Sequence, residues 1–306
     1  MYIGIDVGGT NLRAGLTDET GAILAIRQEP LEFRDAESFA KTLVRLTRTV
    51  LKDAGADETQ VASVGIGLPG AVRGGEVLYT ANIPMKHVPL AELFRRELDL
   101  PVRLENDASC AAYGEWLRGS GRGCDHFAVI TLGTGIGGGF VLNRRLFTGV
   151  SAGEVGHMVV ERSGVPCACG RRGCWEAYAS APGLVRMARE ALERCPESTL
   201  HGKALNGKTI FDAAQEGDGM ALAVCRTFVE YLALGITNLI NIFQPEVLAL
   251  SGGLADAPED LLLKPLRKAV EETCYSRHLG LLPRILRAEL GNDAGVVGAA
   301  LLGRPI

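Results

Sequence analysis

Three cysteines fall within eight residues of this 306-residue chain, Cys167, Cys169 and Cys174, and His157 precedes them. The spacing H-x9-C-x-C-x4-C offers three thiolates and one imidazole, a complete tetrahedral set for structural Zn²⁺. Gly170 and Gly173 let the loop fold tightly around an ion, and Pro166 stiffens its entry. The other five cysteines, Cys110, Cys124, Cys195, Cys225 and Cys274, stand apart and read as small buried hydrophobes. Met1 is followed at once by a strand-like run, with no leader of the secretory kind, so a cytoplasmic protein is expected. In that compartment a cysteine cluster points to metal before disulfide. A closed Cys₃His site does no chemistry itself. It would fix the loop that carries Glu154, His157 and Glu176, whose two carboxylates suit hydrogen bonding to vicinal hydroxyls. The same glutamates also suit an ordinary charged surface.

Two glycine-rich turns follow strand-like runs. The first, Asp6-Val7-Gly8-Gly9-Thr10-Asn11, ends a strand in a carboxylate and then lets the backbone approach a ligand closely. Its N–H groups and the Thr10 hydroxyl can meet phosphate oxygens, and Asp6 can hold Mg²⁺ through water. The second runs from Thr131 to Gly139 with Gly133, Thr134 and Gly135 at its start and five glycines in nine residues. A further pair, Gly252-Gly253, follows an apolar run from Val247 to Leu250. No Gly-Lys-Ser/Thr follows either turn, so neither is a P-loop, and Gly133-x-Gly135 lacks the third glycine and helix of a dinucleotide fingerprint. Two hairpin turns facing each other across a cleft would clamp ATP; ordinary β-turns are the other reading.

Glu105-Asn106-Asp107 sits where a strand gives way to a helix. Asn and Asp there suit a helix N-cap. They also suit phosphoryl transfer, with Asp107 taking the proton of an attacking hydroxyl and Asn106 offering both donor and acceptor to a polyol.

The elements around these residues are those of an α/β protein. Strands are expected at 2–7, 12–17, 22–27, 61–67, 102–105, 127–132 and 140–142, with later ones at 247–250 and 284–288. Helices are expected at 35–54, 89–98 and 108–117. The 35–54 helix carries Phe39, Leu43, Leu46 and Val50 on one face. An apolar helix near 220–243 contains Arg226, Glu230, Asn238 and Asn241, so it reads as core and not as a membrane span. The Gly- and Ser-rich stretch 117–124 reads as the linker between two lobes, 1–117 and 118–293, with a final helix at about 294–306 packing back on the first. Each half opens strand, glycine turn, strand. The composition is 47% hydrophobic and 22% charged, with a net charge of −4 and no basic block, which argues against nucleic-acid and membrane surfaces. Glycine is the outlier at 39 residues. Of these, 22 lie in the windows 4–15, 65–75, 131–139, 149–173 and 252–253, which hold the candidate phosphate, hydroxyl-binding and zinc elements. The rest are left to turns and helix ends.

The motifs Asp6-Val-Gly-Gly-Thr10, Gly67-Leu-Pro-Gly70, Glu105-Asn-Asp-Ala108, Thr131 to Gly139, Gly153-Glu-Val-Gly-His157, Cys167 to Glu176 and Ser251-Gly-Gly253 resemble, in this order, those of the ROK family. That family comprises repressors, uncharacterised reading frames and sugar kinases on the two-lobed actin-like ATPase fold. The resemblance spans essentially the whole chain and implies an ATP-dependent kinase acting on a hexose, usually at the 6-hydroxyl, with Asp107 as base. It implies sugar contacts from Asn82, Asn106, Asp107, Glu154, His157 and Glu176. Phosphates and Mg²⁺ would lie at Asp6, Gly8, Gly9, Thr10, Asn11 and Gly133–Gly135, and adenosine near Gly252 and Gly253. His157 would also ligate zinc with Cys167, Cys169 and Cys174, and the protein would be a homodimer. The Gly173–Ser180 run looks most like the family's bacterial glucokinases. Those often carry an aromatic after the Asn82 position, where this chain reads Ile83-Pro84-Met85-Lys86-His87-Val88. Glucose therefore stands beside allose, N-acetylmannosamine, fructose, mannose and N-acetylglucosamine. A sugar-sensing regulator is the non-enzyme reading. Family regulators carry a helix-turn-helix before the first phosphate turn, which here begins at residue 6.

Overall fold

A computed structural model describes residues 1–80 and 83–304. Strands β1 (Tyr2–Val7), β2 (Asn11–Thr17) and β3 (Ile23–Pro30) lead into helix α1 (Ala36–Asp53). Strands β4 (Ser63–Leu68), β5 (Ala71–Arg73), β6 (Glu76–Tyr79) and β7 (Lys86–Val88) follow, then α2 (Leu90–Glu97), β8 (Val102–Asn106) and α3 (Asp107–Arg118). The chain continues through β9 (Phe127–Leu132), β10 (Ile136–Leu142), β11 (Arg145–Leu146), α4 (Glu176–Ala179), α5 (Ala181–Leu192), α6 (Gly207–Gln215) and α7 (Gly219–Phe243). It closes with β12 (Val247–Ser251), α8 (Leu263–Thr273), β13 (Arg284–Arg287) and α9 (Ala294–Leu301). The class is α/β, as expected. One sheet has the order β3-β2-β1-β4-β8, a second β11-β10-β9-β12-β13, and a small third β5-β6-β7.

Two compact units emerge from the contacts. The first holds Met1–Val129, Gly139–Gly153 and the segment from Glu289 onward; the second holds Ile130–Gly138 and Glu154–Ala288. This division differs from the expected cut after residue 117. The reason lies in the expected linker, where Gly119, Ser120 and Gly121 are buried. Ser120 donates to the carboxylate of Glu115 from both its backbone N (2.9 Å) and its Oγ (2.8 Å). A side chain at Gly119 would overlap that carboxylate. The stretch is thus a tucked turn attached to α3.

In the first unit, β1 runs antiparallel to β2 and parallel to β4, which runs parallel to β8. Helix α1 begins with an Asp35–Ser38 capping box and buries Phe39, Leu43, Leu46 and Val50, the expected face, against the sheet's Ile3, Ile5, Leu12 and Val64. Each such fully buried aliphatic or aromatic side chain contributes roughly 1.5–3 kcal/mol. The antiparallel β5-β6-β7 sheet has no counterpart in the sequence reading, because strands of three or four residues are too short to show alternation.

Helix α9 packs on β1, β2, β4 and α3. Its contact is backbone to backbone. A Cβ on Gly4 would overlap the Val296 carbonyl, one on Gly65 that of Ala299, and one on Gly298 that of Cys110. Gly4 and Gly65, expected near ligands, and Gly298, expected to be unremarkable, therefore all serve this close crossing. In the second unit, α7 is long and apolar enough to cross a bilayer, but it lies against α4, α5, α6 and α8. Phe228, Leu232, Ile236 and Ile240 are buried there, as expected of a core helix.

Candidate functional site

In the first unit, β1 ends beside an open turn. The Gly8 amide donates to Asn11 O (2.9 Å), and Asn11 Nδ2 donates to Thr10 Oγ1 (3.1 Å). A Cβ at Gly9 would meet nothing within 4 Å, so the space over this turn is open to a ligand. The parallel register sets Asp6, Gly67 and Glu105 side by side on β1, β4 and β8. On the same face, Gly67 abuts Cys110 and the Cα of Asp107, so α3 starts directly over this row.

The N-cap role falls to Asn106. Asn106 Oδ1 accepts the N–H groups of Ala108 (2.9 Å) and Ser109 (3.2 Å), while its Nδ2 faces Gly70 O at 3.4 Å. Asp107 lies in the first helical turn, where its Oδ1 accepts the Ala108 N–H at 2.8 Å. Asn82 falls outside the described residues.

Two residues missed in the sequence complete this group. Arg13 pairs with Asp6 across β1 and β2 and so shares its face of the sheet. A Cβ on Gly295, at the start of α9, would stand 2.7–3.0 Å from the Asp6 carboxyl atoms. Burial pushes Asp6 up to about 7; the charge of Asp107 adds to the rise and that of Arg13 opposes it. A polar residue facing Asp6 could have been found from the alternation of β2. Nothing local signals Gly295, 289 positions further along the chain.

In the second unit, the cysteine segment folds as a small hairpin bridged at Pro166–Arg172 and Val159–Cys174. Gly173 has φ +74° where a side chain would overlap the Glu161 carbonyl, so glycine is required there. His157 Nδ1 lies 3.7 Å from Cys167 Sγ, Cys169 Sγ lies 3.6 Å from Cys174 Sγ, and all four donor atoms fall within 4.8 Å of one another. Zinc bonds of about 2.3 Å to sulfur and 2.0–2.1 Å to nitrogen put tetrahedral neighbours roughly 3.5–3.8 Å apart. The four residues therefore fit zinc.

The same imidazole brings the two glutamates together. His157 Nδ1 is 3.6 Å from Glu176 Oε1, and its Nε2 is 4.0 Å from Glu154 Oε2. Glu176 is flanked by anchored aromatics. Trp175 is fully buried and donates to Tyr231 O (2.8 Å); the Tyr178 hydroxyl accepts the Val165 N–H (2.9 Å), and its ring stacks on Tyr231 at 4.2 Å. The second glycine turn is shorter than expected. It spans Gly133–Gly135, with the Gly133 amide donating to Gly135 O, whereas Gly137–Gly139 belong to β10. Gly133 O accepts the Ala181 N–H at the start of α5, and a Cβ on Gly135 would lie 2.8 Å from Glu176 Oε2. Gly252, at φ +86°, rests on the backbone of Leu132, so Gly252-Gly253 adjoins this turn.

Two glycine turns, a carboxylate at a helix start and a Cys₃His loop thus occur in one chain, and known proteins resemble it over nearly its full length. It is 37% identical to a glucokinase of Halalkalibacterium halodurans, over 98% of this chain and 94% of that one. It is 38% identical to a glucokinase of Thermotoga maritima, over 97% and 95%. The crystal structure of a ROK family glucokinase from Streptomyces griseus, in complex with glucose and AMPPNP, superposes with a TM-score of 0.84 at 36% identity, covering 99% of each chain. The ROK family model itself matches residues 2–305, and the chain belongs to the ROK family.

Proposed function

We propose that the protein is an ATP-dependent glucokinase, transferring the γ-phosphoryl group of ATP to the 6-hydroxyl of glucose, with Asp107 as general base. The observation that carries this reading is full-length similarity to glucokinases combined with a carboxylate at the start of α3 beside the Asp6 turn. Asp107 takes the hydroxyl proton as the sugar oxygen bonds to the γ-phosphorus and the bond to ADP breaks. The backbone of Gly8–Asn11 and Gly133–Gly135 cradles phosphates, and Gly252-Gly253 lies by the adenosine. Asp6 would hold Mg²⁺, which when bound would neutralise charge on the phosphates. Asn82, Asn106, Glu154, His157 and Glu176 bind sugar hydroxyls. With Nδ1 of His157 on the thiolate side, its Nε2 serves as a donor beside Glu154.

A coupled ADP-release assay over glucose, mannose, fructose, allose, N-acetylglucosamine and N-acetylmannosamine tests the reading. The highest kcat/KM is expected with glucose. Release with another hexose alone would reassign the substrate, and release with none would sink the kinase assignment.

Zinc held by His157, Cys167, Cys169 and Cys174 has a structural role, fixing the loop that bears Glu154 and Glu176. Cys169→Ser is expected to lower zinc content and raise the KM for glucose together. Full zinc stoichiometry in that variant would remove Cys169 from the ligand set. The protein acts as a homodimer. Exposed Tyr275, Leu279 and Leu281 support this, lying near exposed Ile242 through the Asn241–Tyr275 and Gln244–Leu281 hydrogen bonds.

A further inference from the structure

Glu115 is a fully buried carboxylate on α3, two helical turns from Asp107. Its named partners are neutral donors: Ser120 N and Oγ, Glu289 N at 3.1 Å and Leu290 N at 2.6 Å. Burying a carboxyl group is costly unless it is hydrogen-bonded, and this one accepts four hydrogen bonds. Two of them fix the start of a segment that runs from Glu289 to α9.

That segment leads to the phosphate turn. Asn292 O and Asp293 Oδ1 (2.6 Å) accept hydrogen bonds from the two terminal nitrogens of Arg13, while the Nε of Arg13 is buried. Arg13 is the cross-strand neighbour of Asp6, and Gly295 packs on the Asp6 carboxylate. The segment is therefore held at one end by the helix that bears Asp107 and at the other against Asp6.

We propose that Glu115 is a positioning residue for the phosphate turn: it fixes the 289–293 segment, which holds Arg13 and seats Asp6 relative to Asp107. The inference rests on the proposed role of Asp6 toward Mg²⁺ and phosphate.

Steady-state kinetics of the full chain with glucose and MgATP test it. Glu115→Gln keeps the shape but turns one acceptor oxygen into a donor. It is expected to raise the KM for MgATP about 10- to 100-fold, the effect usual for residues that orient a metal's partners, with the KM for glucose unchanged within about twofold. Asp293→Asn, at a side chain 45% exposed, should move the same constant in the same direction by less. The double variant should then fall short of the product of the two effects. Equal rises in both KM values, a silent Glu115→Gln, or a silent Asp293→Asn beside an impaired Glu115→Gln would each overturn the proposal. Should Glu115→Gln fail to fold, Asp293→Asn decides alone. Asp6→Asn belongs in the same series: if it leaves the KM for MgATP unchanged, the reading of Asp6 falls, whatever Glu115 shows.

Discussion

Asp107→Asn is expected to fold normally, bind glucose with near-normal affinity and lose about 10²- to 10⁴-fold in kcat, the usual contribution of a positioned general base. Asn is nearly the same size and can still accept the Ala108 N–H, so the start of α3 should survive. The helix cap is made by Asn106, so the exchange does not remove it. What disappears is the basicity that accepts the hydroxyl proton. Glucose binding by calorimetry, helix content by circular dichroism and turnover by ADP release separate these effects. Turnover within a few-fold of the parent would end the assignment of Asp107 as base. Turnover and sugar affinity falling together would instead mark a binding residue.

The second large effect is expected at Asp6, where stability and activity should move in opposite directions. Burial and the charge of Asp107 raise its pKa from 3.8 in the unfolded chain to about 7. Between those values the native state holds a proton that the unfolded state has released. Stability therefore falls as pH rises through that window, and the whole penalty applies above about pH 7. Asp6→Asn carries no such penalty. In buffer free of nucleotide and divalent cations it should exceed the parent by about 1–4 kcal/mol at pH 8, with no difference at pH 3 to 4. Thermal unfolding across that range measures the slope. The same variant should lose about 10- to 100-fold in kcat/KM for MgATP, because the carboxylate is there to meet a cation. A parent and variant with parallel stability profiles from pH 4 to 8 would show that Asp6 is not held protonated by its surroundings.

The parts of the site readable in the sequence are those set by neighbours along the chain. His157 and the three cysteines lie within eighteen residues, and their spacing alone brings the donors within reach of one another. The strand that ends at Asp6 and the capped helix that begins at Asp107 are likewise local. The parts that were not readable depend on partners far away in sequence. Asp293 reaches Arg13 and Gly295 reaches Asp6 from the far end of the sequence, and 280 positions separate the two members of the Arg13–Asp293 pair. The glycines misled for the same reason. Gly137–Gly139 have a turn's composition, but lie in β10, and Gly139 admits α3 at Ala108. Residues 119–121 have a linker's composition but are buried, because the acceptor for Ser120 is a carboxylate that composition cannot foresee.

The crossing of α9 over Gly4 and Gly65 has a consequence for how the polypeptide is made. The sheet that begins at Tyr2 is covered on that face by α9, so the element that covers it is synthesised long after the strands themselves. At about 5–20 residues per second, the N-terminal strands wait on the order of tens of seconds on the ribosome before α9 exists. During that interval the glycine-lined face is open to other chains, and completing the unit is one of the longest-range closures the sequence allows. The nascent sheet is therefore exposed until α9 emerges, and loss of Ala294–Leu301 would leave it without its cover.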